Sequence, residues 1–312
     1  MSERNAVAAH LILGSREEPF LAALLDSIAG AAETLIVNDN GPGASPHADV
    51  LAASPFGRTG RLVVDRTPFA GFAGARNVCM RLHERIDAGD WVAFVDADEV
   101  HDAKTIATIA SNLGLVPHEY DFVDGYTWHF FQAFDHYTSI ERRMMFFRFK
   151  AGAYWESPVH ERLVGIEGKR IALPYVYGHY GHTLEPRRHA EKGRHYSSLG
   201  APGGVLPEER LADFDVSDYF KPEYPRLLHF AGVHPAAARA TLDRLRPGLA
   251  AYHALTQGVV AGQPRAVKVR NAIRKFNYEL RWRGRALDPL ARRIMQPPPA
   301  FPRSPKRASA SR

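Results

Sequence analysis

Residues 91–99 read Trp91-Val-Ala-Phe-Val-Asp-Ala-Asp-Glu99, and the rest of the chain can be interpreted around this stretch. Its apolar part, residues 92–95, predicts a buried strand. Three carboxylates follow within four residues, and burying them without partners would cost too much free energy. We therefore expect Asp96, Asp98 and Glu99 at the exposed carboxyl end of that strand, where oxygen ligands suit a hard divalent cation. Taken alone, the stretch is equally consistent with an acidic turn.

The composition is that of an ordinary globular protein, since 45% of the 312 residues are hydrophobic and 24% are charged. The single cysteine, Cys79, excludes an intrachain disulfide and suits a reducing compartment. No segment approaches the roughly 20 apolar residues of a transmembrane helix. The apolar run over residues 6–13 is too short for a secretory signal. Together these features predict a cytoplasmic protein.

The net charge of +6 is distributed unevenly along the chain. Residues 265–312 contain fourteen Lys and Arg residues opposed only by Glu279 and Asp288, so this segment carries +12 and the remainder −6. Within it, residues 266–285 place apolar side chains at helical spacing among dense Arg and Lys. This pattern predicts peripheral association with the inner face of a membrane, or equally a helix docked on the protein with a solvated basic face.

Strands and helices alternate over the first part of the chain, which predicts an α/β domain with a largely parallel sheet. We expect strands at residues 7–13, 34–37, 61–64 and 92–95, and helices at residues 20–28, 45–53, 72–86 and 102–113. Added strands, the first two suited to antiparallel pairing, are expected at residues 122–131, 144–149 and 171–177.

A segment rich in glycine and proline, residues 200–207, predicts a domain boundary. We expect a catalytic domain at residues 1–199 and a helical extension at residues 200–295, which contains a helix over residues 235–252. Residues 296–312 are dominated by Pro, Ser, Ala and Arg, which predicts a disordered basic tail.

Polar residues follow three of the predicted strands. Ser15, Asp39 and Asp96 all fall at predicted carboxyl ends. In parallel sheets ligands bind beyond these ends, so we expect the three positions to share a site. Asp39 could accept hydrogen bonds from a nucleotide base or ribose, although an Asx turn leaving the strand explains it equally well.

Arg76 and Asn77 lie near the start of the predicted helix over residues 72–86, after a small glycine-rich loop. Backbone amides there, together with the Arg76 guanidinium, would suit a phosphate group. The loop is not a dinucleotide fingerprint, and it lacks the Lys-Ser/Thr of a P-loop. Close packing of the helix on a strand is the alternative.

Aromatic, acidic and histidine side chains come together in residues 154–163, a predicted loop that contains Trp155, His160 and Glu161. Glu161 is a candidate general base, because a carboxylate beside bulky aromatic rings can have its pKa raised toward neutrality. The alternative is a surface glutamate beside a structural histidine.

Two further histidines, His179 and His182, lie three residues apart in a predicted glycine loop. An imidazole from this pair could supply a metal ligand, and His160 is a third candidate. For each of them, a hydrogen-bonding role within the loop is the alternative.

In order and spacing, these segments resemble the GT-A-type nucleotide-sugar glycosyltransferases of the broad family 2. The resemblance rests on five stretches: the opening strand and loop at residues 11–18, residues 36–41, the Gly-Ala-Arg-Asn of residues 74–77, the Asp-x-Asp motif at residues 96–98, and residues 155–161. The last stretch is similar to the Trp-x-x-x-Val-His-Glu segment of bacterial members that build lipopolysaccharide core or related cell-envelope glycans.

The resemblance implies a Rossmann-like mixed sheet flanked by helices, with a C-terminal helical extension. It also implies metal-dependent transfer of a sugar from a nucleoside diphosphate sugar to a hydroxyl of a glycan, lipid-linked or protein acceptor, with inversion. By this resemblance Ser15, Asp39, Arg76, Asn77 and Asp96 would bind the nucleotide sugar. Asp96 and Asp98, completed by His179 or His182, would hold Mn²⁺ or Mg²⁺; Glu161 would deprotonate the acceptor; Trp155 and His160 are further candidates.

Two functions from other classes compete with this interpretation. A sugar-nucleotide nucleotidyltransferase would open with a Gly-x-Gly-x-x-Arg loop, of which only Gly14 is present. A non-catalytic protein that binds an anionic polymer would use the basic tail, but the sequence contains no recognised nucleic-acid motif. We therefore expect no nucleic-acid partner.

Overall fold

The computed structural model describes residues 6–157, 161–183 and 221–296, together with residues 188, 190, 191 and 194. In this part of the chain a mixed sheet of nine strands is flanked by helices. The strands are β1 (Val7–Leu13), β2 (Thr34–Asp39), β3 (Leu62–Asp65), β4 (Trp91–Phe94), β5 (Glu99–Val100), β6 (Tyr120–Phe131), β7 (Ala133–Arg148), β8 (Tyr154–Glu156), β9 (Arg162–Val164), β10 (Lys169–His182) and β11 (Leu228–His229). Of these, β8 and β9 form a separate hairpin.

The α-helices of the described residues are α1 (Leu21–Ile28), α2 (Ala48–Ala53), α3 (Pro55–Arg58), α4 (Phe72–Ile86), α5 (Ala103–Ser111), α6 (Arg239–Leu245), α7 (Ala250–Gly262), α8 (Arg265–Arg283) and α9 (Pro289–Met295). No helix of these residues is long and apolar enough to cross a membrane.

The sheet has the order β3-β2-β1-β4-β7-β6-β10-β5, and β11 pairs with β7. Strands β1 to β4 are parallel where they pair, whereas β7 runs antiparallel to both β4 and β6. The parallel half places the carboxyl ends of β1, β2 and β4 at one edge of the sheet. The predicted mixed α/β architecture is therefore confirmed, and so is the antiparallel pairing of the strands expected at residues 122–131 and 144–149, whereas β10 pairs parallel with β6.

The main core lies between β1, β2, β4 and the helices that cover them. These strands are mostly apolar because both faces are covered, as is usual for the parallel part of a sheet. The C-terminal helix α9 adds Ala291 and Ile294 to the same core. Asn112 fixes this helix, since its side-chain amide donates to the carbonyl oxygens of Ile294 at 2.9 Å and Gln296 at 2.7 Å. Residues near the C-terminus therefore pack directly on the sheet.

Several element boundaries differ from the sequence-based expectations. The helix expected from residue 45 begins at Ala48, because the Ser45 hydroxyl instead accepts a hydrogen bond from the His47 amide within the preceding turn. The helix expected over residues 235–252 is divided at Pro247, which lacks the amide hydrogen a continuous helix needs. Residues 178–182, expected as a loop, form the end of β10. The predicted boundary at residues 200–207 and the predicted tail beyond residue 296 lie outside the described residues.

A buried histidine, His101, makes stability depend on pH. Burial lowers its pKa from 6.5 to about 3, and its ring stacks on Tyr177 with 4.3 Å between centroids. Below pH 6.5 the unfolded chain therefore binds a proton that the folded protein does not, so stability falls as pH falls.

His101→Phe should reduce this loss by about 1.4 kcal/mol per pH unit, because phenylalanine can stack without binding a proton. Urea unfolding of both proteins at about pH 6 and about pH 5 measures the difference. The same substitution at the exposed His118 serves as the control. It should leave the change in unfolding free energy per pH unit the same as in wild type. Equal slopes in wild type and His101→Phe would contradict the assignment.

Candidate active site

The loops after β1 and β2 meet at the carboxyl edge of the sheet. The Asn40 amide donates to the Leu13 carbonyl oxygen at 2.9 Å. Gly41 packs so closely on the neighbouring loop that a Cβ atom there would lie 2.7 Å from Ser15 Cα, which explains the glycine. Ser15 itself is exposed. The structure thus places Ser15 beside the loop that follows Asp39.

Asp39 is buried at the end of β2 and is held by an arginine that the sequence analysis did not identify. Arg66, just after β3, donates from Nη1 to Asp39 Oδ2 at 2.5 Å. It also donates from Nη2 to the carbonyl oxygens of Gly41 and Gly43, at 3.0 and 2.6 Å. The other carboxylate oxygen, Asp39 Oδ1, is buried and accepts no hydrogen bond from the described residues. A ligand with an N–H or O–H donor would satisfy it.

Arg76 connects two of the predicted site residues. From the first turns of α4 it donates to Asp96 Oδ1 at 2.8 Å through Nη2 and to Glu161 Oε1 at 3.1 Å through Nε. Its guanidinium lies over the Phe94 ring, 4.0 Å from the centroid. Burial opposes the charged form, but the two carboxylates outweigh it and raise the pKa of Arg76. Nη1 is buried without a hydrogen-bond partner among the described residues.

The pKa values of Asp96 and Glu99 are shifted in opposite directions. Burial raises the pKa of Asp96, but Arg76 and Arg143 outweigh this effect and leave it below its ordinary value. Arg143, on β7, donates to Asp96 Oδ2 at 3.3 Å. Burial and the negative charge of Asp96 raise the pKa of Glu99 to about 8. The acidic stretch therefore contains an ionised carboxylate held by two arginines and a carboxyl group that is protonated at neutral pH.

Asp98 lies against a histidine cluster at the end of β10. Its Oδ1 is 3.3 Å from His179 Nε2. His179 pairs in register with His129 on β6, and ring atoms of His129, His179 and His182 lie within 4.8 Å of one another. Gly181 leaves room for the carboxylate, because a Cβ atom there would overlap Asp98 Oδ2. One carboxylate and a group of imidazoles form a donor set that fits a first-row divalent cation such as Mn²⁺.

The β8–β9 hairpin carries Trp155 on β8 and Glu161 directly before β9. The Asn77 side chain fixes it to α4, donating to the Trp155 carbonyl at 2.8 Å and accepting from the Trp155 amide at 2.7 Å. The Trp155 ring stacks on Phe94, with centroids 5.1 Å apart. The Asn77 side chain is therefore already hydrogen-bonded within the protein. Binding of a nucleotide sugar by Asn77 stays a prediction. His160 lies outside the described residues.

The structure brings the predicted residues into two contacting groups. Arg76, Asp96 and Glu161 are joined by hydrogen bonds, and Asp98 joins His179 and His182 at the neighbouring end of β10. Sequence reasoning missed His129, Arg66 and Arg143. Each is distant in sequence from its partner, and only the pairing of β6 with β10 and of β2 with β3 brings His129 and Arg66 into place.

Comparisons with solved structures give only remote similarities. No curated protein matches the sequence. A mannosyltransferase from Pyrobaculum calidifontis, in complex with GDP-Man and Mn²⁺, is 14% identical over 92% of this chain and 88% of its own, with a TM-score of 0.42. TarS residues 1–349 from S. aureus are 14% identical over 82% of this chain and 89% of that one, with a TM-score of 0.37. Glucosyl-3-phosphoglycerate synthase from Mycobacterium tuberculosis, with Mn²⁺ and UDP, is 18% identical over 39% and 44%, with a TM-score of 0.28.

One family model matches part of the sequence. Residues 15–166 match the model described as Glycosyl transferase family 2. This span starts at the loop after β1 and includes Asp39, Arg76, Asp98 and Glu161. Over these residues the chain is similar to glycosyl transferase family 2, which agrees with the resemblance that the sequence motifs indicate.

Proposed function

We propose that the protein transfers a sugar from a nucleoside diphosphate sugar to an acceptor hydroxyl, with a divalent cation and with inversion at the anomeric carbon. The observation that carries this proposal is the position of Arg76. One buried guanidinium links Asp96, in the acidic stretch after β4, to Glu161, the residue just before β9. Asp96, assigned here to the donor side, and Glu161, assigned to the acceptor side, therefore both contact Arg76.

The nucleoside part of the donor would occupy the edge formed by the loops after β1 and β2. Asp39 supports this assignment, because its buried Oδ1 accepts no hydrogen bond from the described residues and suits a base N–H or a ribose hydroxyl. Arg66 fixes the orientation of the carboxylate through Oδ2. Ser15, exposed on the adjacent loop, is within the same edge.

Asp98, His179 and His182 would hold the cation, with His129 as a further candidate ligand. When bound, the cation would neutralise charge on the departing nucleoside diphosphate, as a Lewis acid does. Asp96 is already bound by Arg76 and Arg143, so its carboxylate orients these two guanidinium groups toward the same region.

Glu161 would remove the proton from the acceptor hydroxyl as that oxygen attacks the anomeric carbon. Its side chain is 16% exposed, which leaves it accessible to an acceptor, and Arg76 Nε fixes its Oε1. A single carboxylate that accepts the proton suits one displacement, and one displacement inverts the anomeric carbon.

Thermal unfolding with a panel of nucleoside diphosphates and their sugars, with and without Mn²⁺, tests the function and identifies the donor in the same experiment. We expect one nucleotide to raise the melting temperature only when Mn²⁺ is present, because a ligand that binds the folded state stabilises it. Release of that nucleoside diphosphate on addition of an acceptor would then be measured. A panel in which no nucleotide binds with or without Mn²⁺ would contradict the proposal.

We also propose that the protein binds membrane surfaces peripherally through α8. Four large apolar side chains on this helix are exposed at helical spacing: Val269 (53%), Ile273 (57%), Phe276 (66%) and Leu280 (59%). We call these residues the outer stripe. Between Arg265 and Arg285 eight Arg or Lys residues face a single acidic residue, Glu279. An anionic bilayer would accept both the apolar stripe and the positive charge, whereas a second copy would bring like charges together.

Ile273→Ser/Phe276→Ser should weaken binding to anionic vesicles by about 100-fold, because two side chains would no longer enter the lipid interface. Co-sedimentation with vesicles measures this affinity. Val233→Ser/Leu255→Ser is the matched control, since both of these residues are exposed apolar side chains away from α8. If the two double variants lost vesicle binding equally, the outer stripe would not be the membrane contact.

A further inference from the structure

A basic pocket of about 620 Å³ lies between the β6–β7 strands and α8. Four arginines line it: Arg142 from β7, Arg226 from the turn before β11, Arg281 from α8 and Arg285 just after α8. The lining contains one carboxylate, Glu141, so the pocket carries a net charge of +3. Its lining includes none of Arg76, Asp96 and Glu161, although Glu141 lies 3.4 Å from His129.

The guanidinium groups of the basic pocket differ in how their charge is balanced. Arg142 donates from Nε to Asp124 Oδ2 at 2.8 Å, and Arg226 is 3.2 Å from Glu223. Arg285 is oriented by a neutral group, since its Nε donates to the Tyr126 hydroxyl at 3.2 Å. Within the described part of the chain, neither Arg281 nor Arg285 forms an ion pair with a carboxylate. These two cations are therefore directed to one cavity without an internal counter-charge.

Several neutral donors accompany the arginines in the lining. The hydroxyl groups of Tyr126 and Tyr278 lie among them, whereas the Ser139 hydroxyl donates to Glu141 Oε1 at 2.8 Å. Guanidinium groups bind phosphate oxygens through paired hydrogen bonds, and hydroxyl groups can donate to the oxygens that remain. The two guanidinium groups without a carboxylate partner, Arg281 and Arg285, match the oxygens of a phosphate monoester or a diphosphate.

We propose that the basic pocket binds a phosphate-bearing ligand, a phosphate monoester or a diphosphate, through Arg281 and Arg285. The bound anion would supply the counter-charge that Arg281 and Arg285 lack among the described residues. The pocket and the outer stripe use different sides of α8, so the phosphate can come from a soluble molecule or from the headgroup of a lipid. This inference does not depend on the proposed glycosyl transfer.

Calorimetric titration of the full-length protein with inorganic pyrophosphate, with a chelator in place of divalent cations, tests the pocket. We expect saturable binding that weakens about tenfold or more in Arg281→Gln/Arg285→Gln, because two charge-assisted contacts are lost. Arg265→Gln/Arg283→Gln removes the same charge from the same helix outside the pocket lining and should leave the affinity unchanged. Asp98→Asn should also bind normally, which separates the pocket from the candidate metal site.

Two results would overturn the proposal. The first is a wild-type protein that shows no saturable binding of pyrophosphate. The second is an equal loss of affinity in the two double variants, which would indicate attraction to the general charge of α8. Both variants alter exposed side chains, and their melting temperatures show whether folding is preserved.

The source of the phosphate can be identified with vesicles that contain either phosphatidic acid or phosphatidylserine. If a lipid headgroup enters the pocket, wild type should prefer the phosphomonoester of phosphatidic acid, and Arg281→Gln/Arg285→Gln should lose that preference. If pyrophosphate binding depends on the pocket but this preference is absent, the pocket takes a soluble phosphate. Either result supports the proposal and names the source.

Discussion

Asp98→Asn should lower the rate of sugar transfer by about a thousandfold while the protein remains folded. The side chain lies against His179, in the donor set that fits a divalent cation. Asparagine keeps the shape of the side chain but supplies a neutral ligand. Stabilisation of a leaving diphosphate by a cation contributes several kcal/mol, and each 1.36 kcal/mol corresponds to about tenfold in rate. Release of nucleoside diphosphate at saturating donor and Mn²⁺ measures the loss.

The matched control is Asp90→Asn, which makes the same change at an exposed residue just before β4 begins. It should keep wild-type activity. The Mn²⁺-dependent rise in melting temperature with nucleotide should vanish in Asp98→Asn and persist in Asp90→Asn. Turnover of Asp98→Asn within a few-fold of wild type would refute the assignment of Asp98 to the cation.

The parallel half of the sheet could be predicted from the sequence because its signals are local. β1 and α4 have the predicted bounds, since an uninterrupted apolar run and a clear helical period determine them. The position of Asp39 and Asp96 at strand ends followed directly from that pattern. Side-chain chemistry at the ends of parallel strands is therefore the part of this site that a single sequence reveals best.

The partners of those residues could not be predicted, because they depend on pairing between distant strands. His129 lies among aromatic residues near the end of β6, and only its register with His179 on β10 gives it a candidate role. The glycines near the end of β10 favour a loop when the sequence is read alone. In the structure Gly181 instead gives the Asp98 carboxylate room against the strand. A glycine that makes room for a neighbouring side chain and a glycine that allows a turn cannot be distinguished in the sequence.

Arg76 shows how electrostatics ties the two halves of the site together. A buried guanidinium is costly unless its charge is matched, and here Asp96 and Glu161 supply two carboxylates. Because both carboxylates contact the Arg76 guanidinium, removal of one of them changes the charge around the other. For this reason a variant at Glu161 has to keep the hydrogen-bond acceptor for Arg76 if it is to test catalysis rather than folding.

Glu161→Gln meets that requirement, since the amide oxygen can still accept from Arg76 Nε while the side chain can no longer take a proton. We expect kcat for transfer to fall by about 100- to 10,000-fold, the usual contribution of a general base. Affinity for the nucleotide and the melting temperature should stay near wild type. Steady-state kinetics with the donor identified by thermal unfolding, together with nucleotide titration, measures both quantities.

Glu156→Gln is the control for this change, because Glu156 lies in the same hairpin but is half-buried and paired with Arg162 at 2.5 Å rather than with Arg76. It should leave kcat unchanged. If Glu161 only positioned Arg76, Glu161→Gln would retain most of its activity because that hydrogen bond survives, and Glu161→Ala would lose nucleotide affinity and stability together with kcat. A base instead predicts that Glu161→Gln and Glu161→Ala share the same low kcat while only Glu161→Ala is destabilised. Comparison of kcat and stability between Glu161→Gln and Glu161→Ala therefore distinguishes proton transfer from positioning of Arg76.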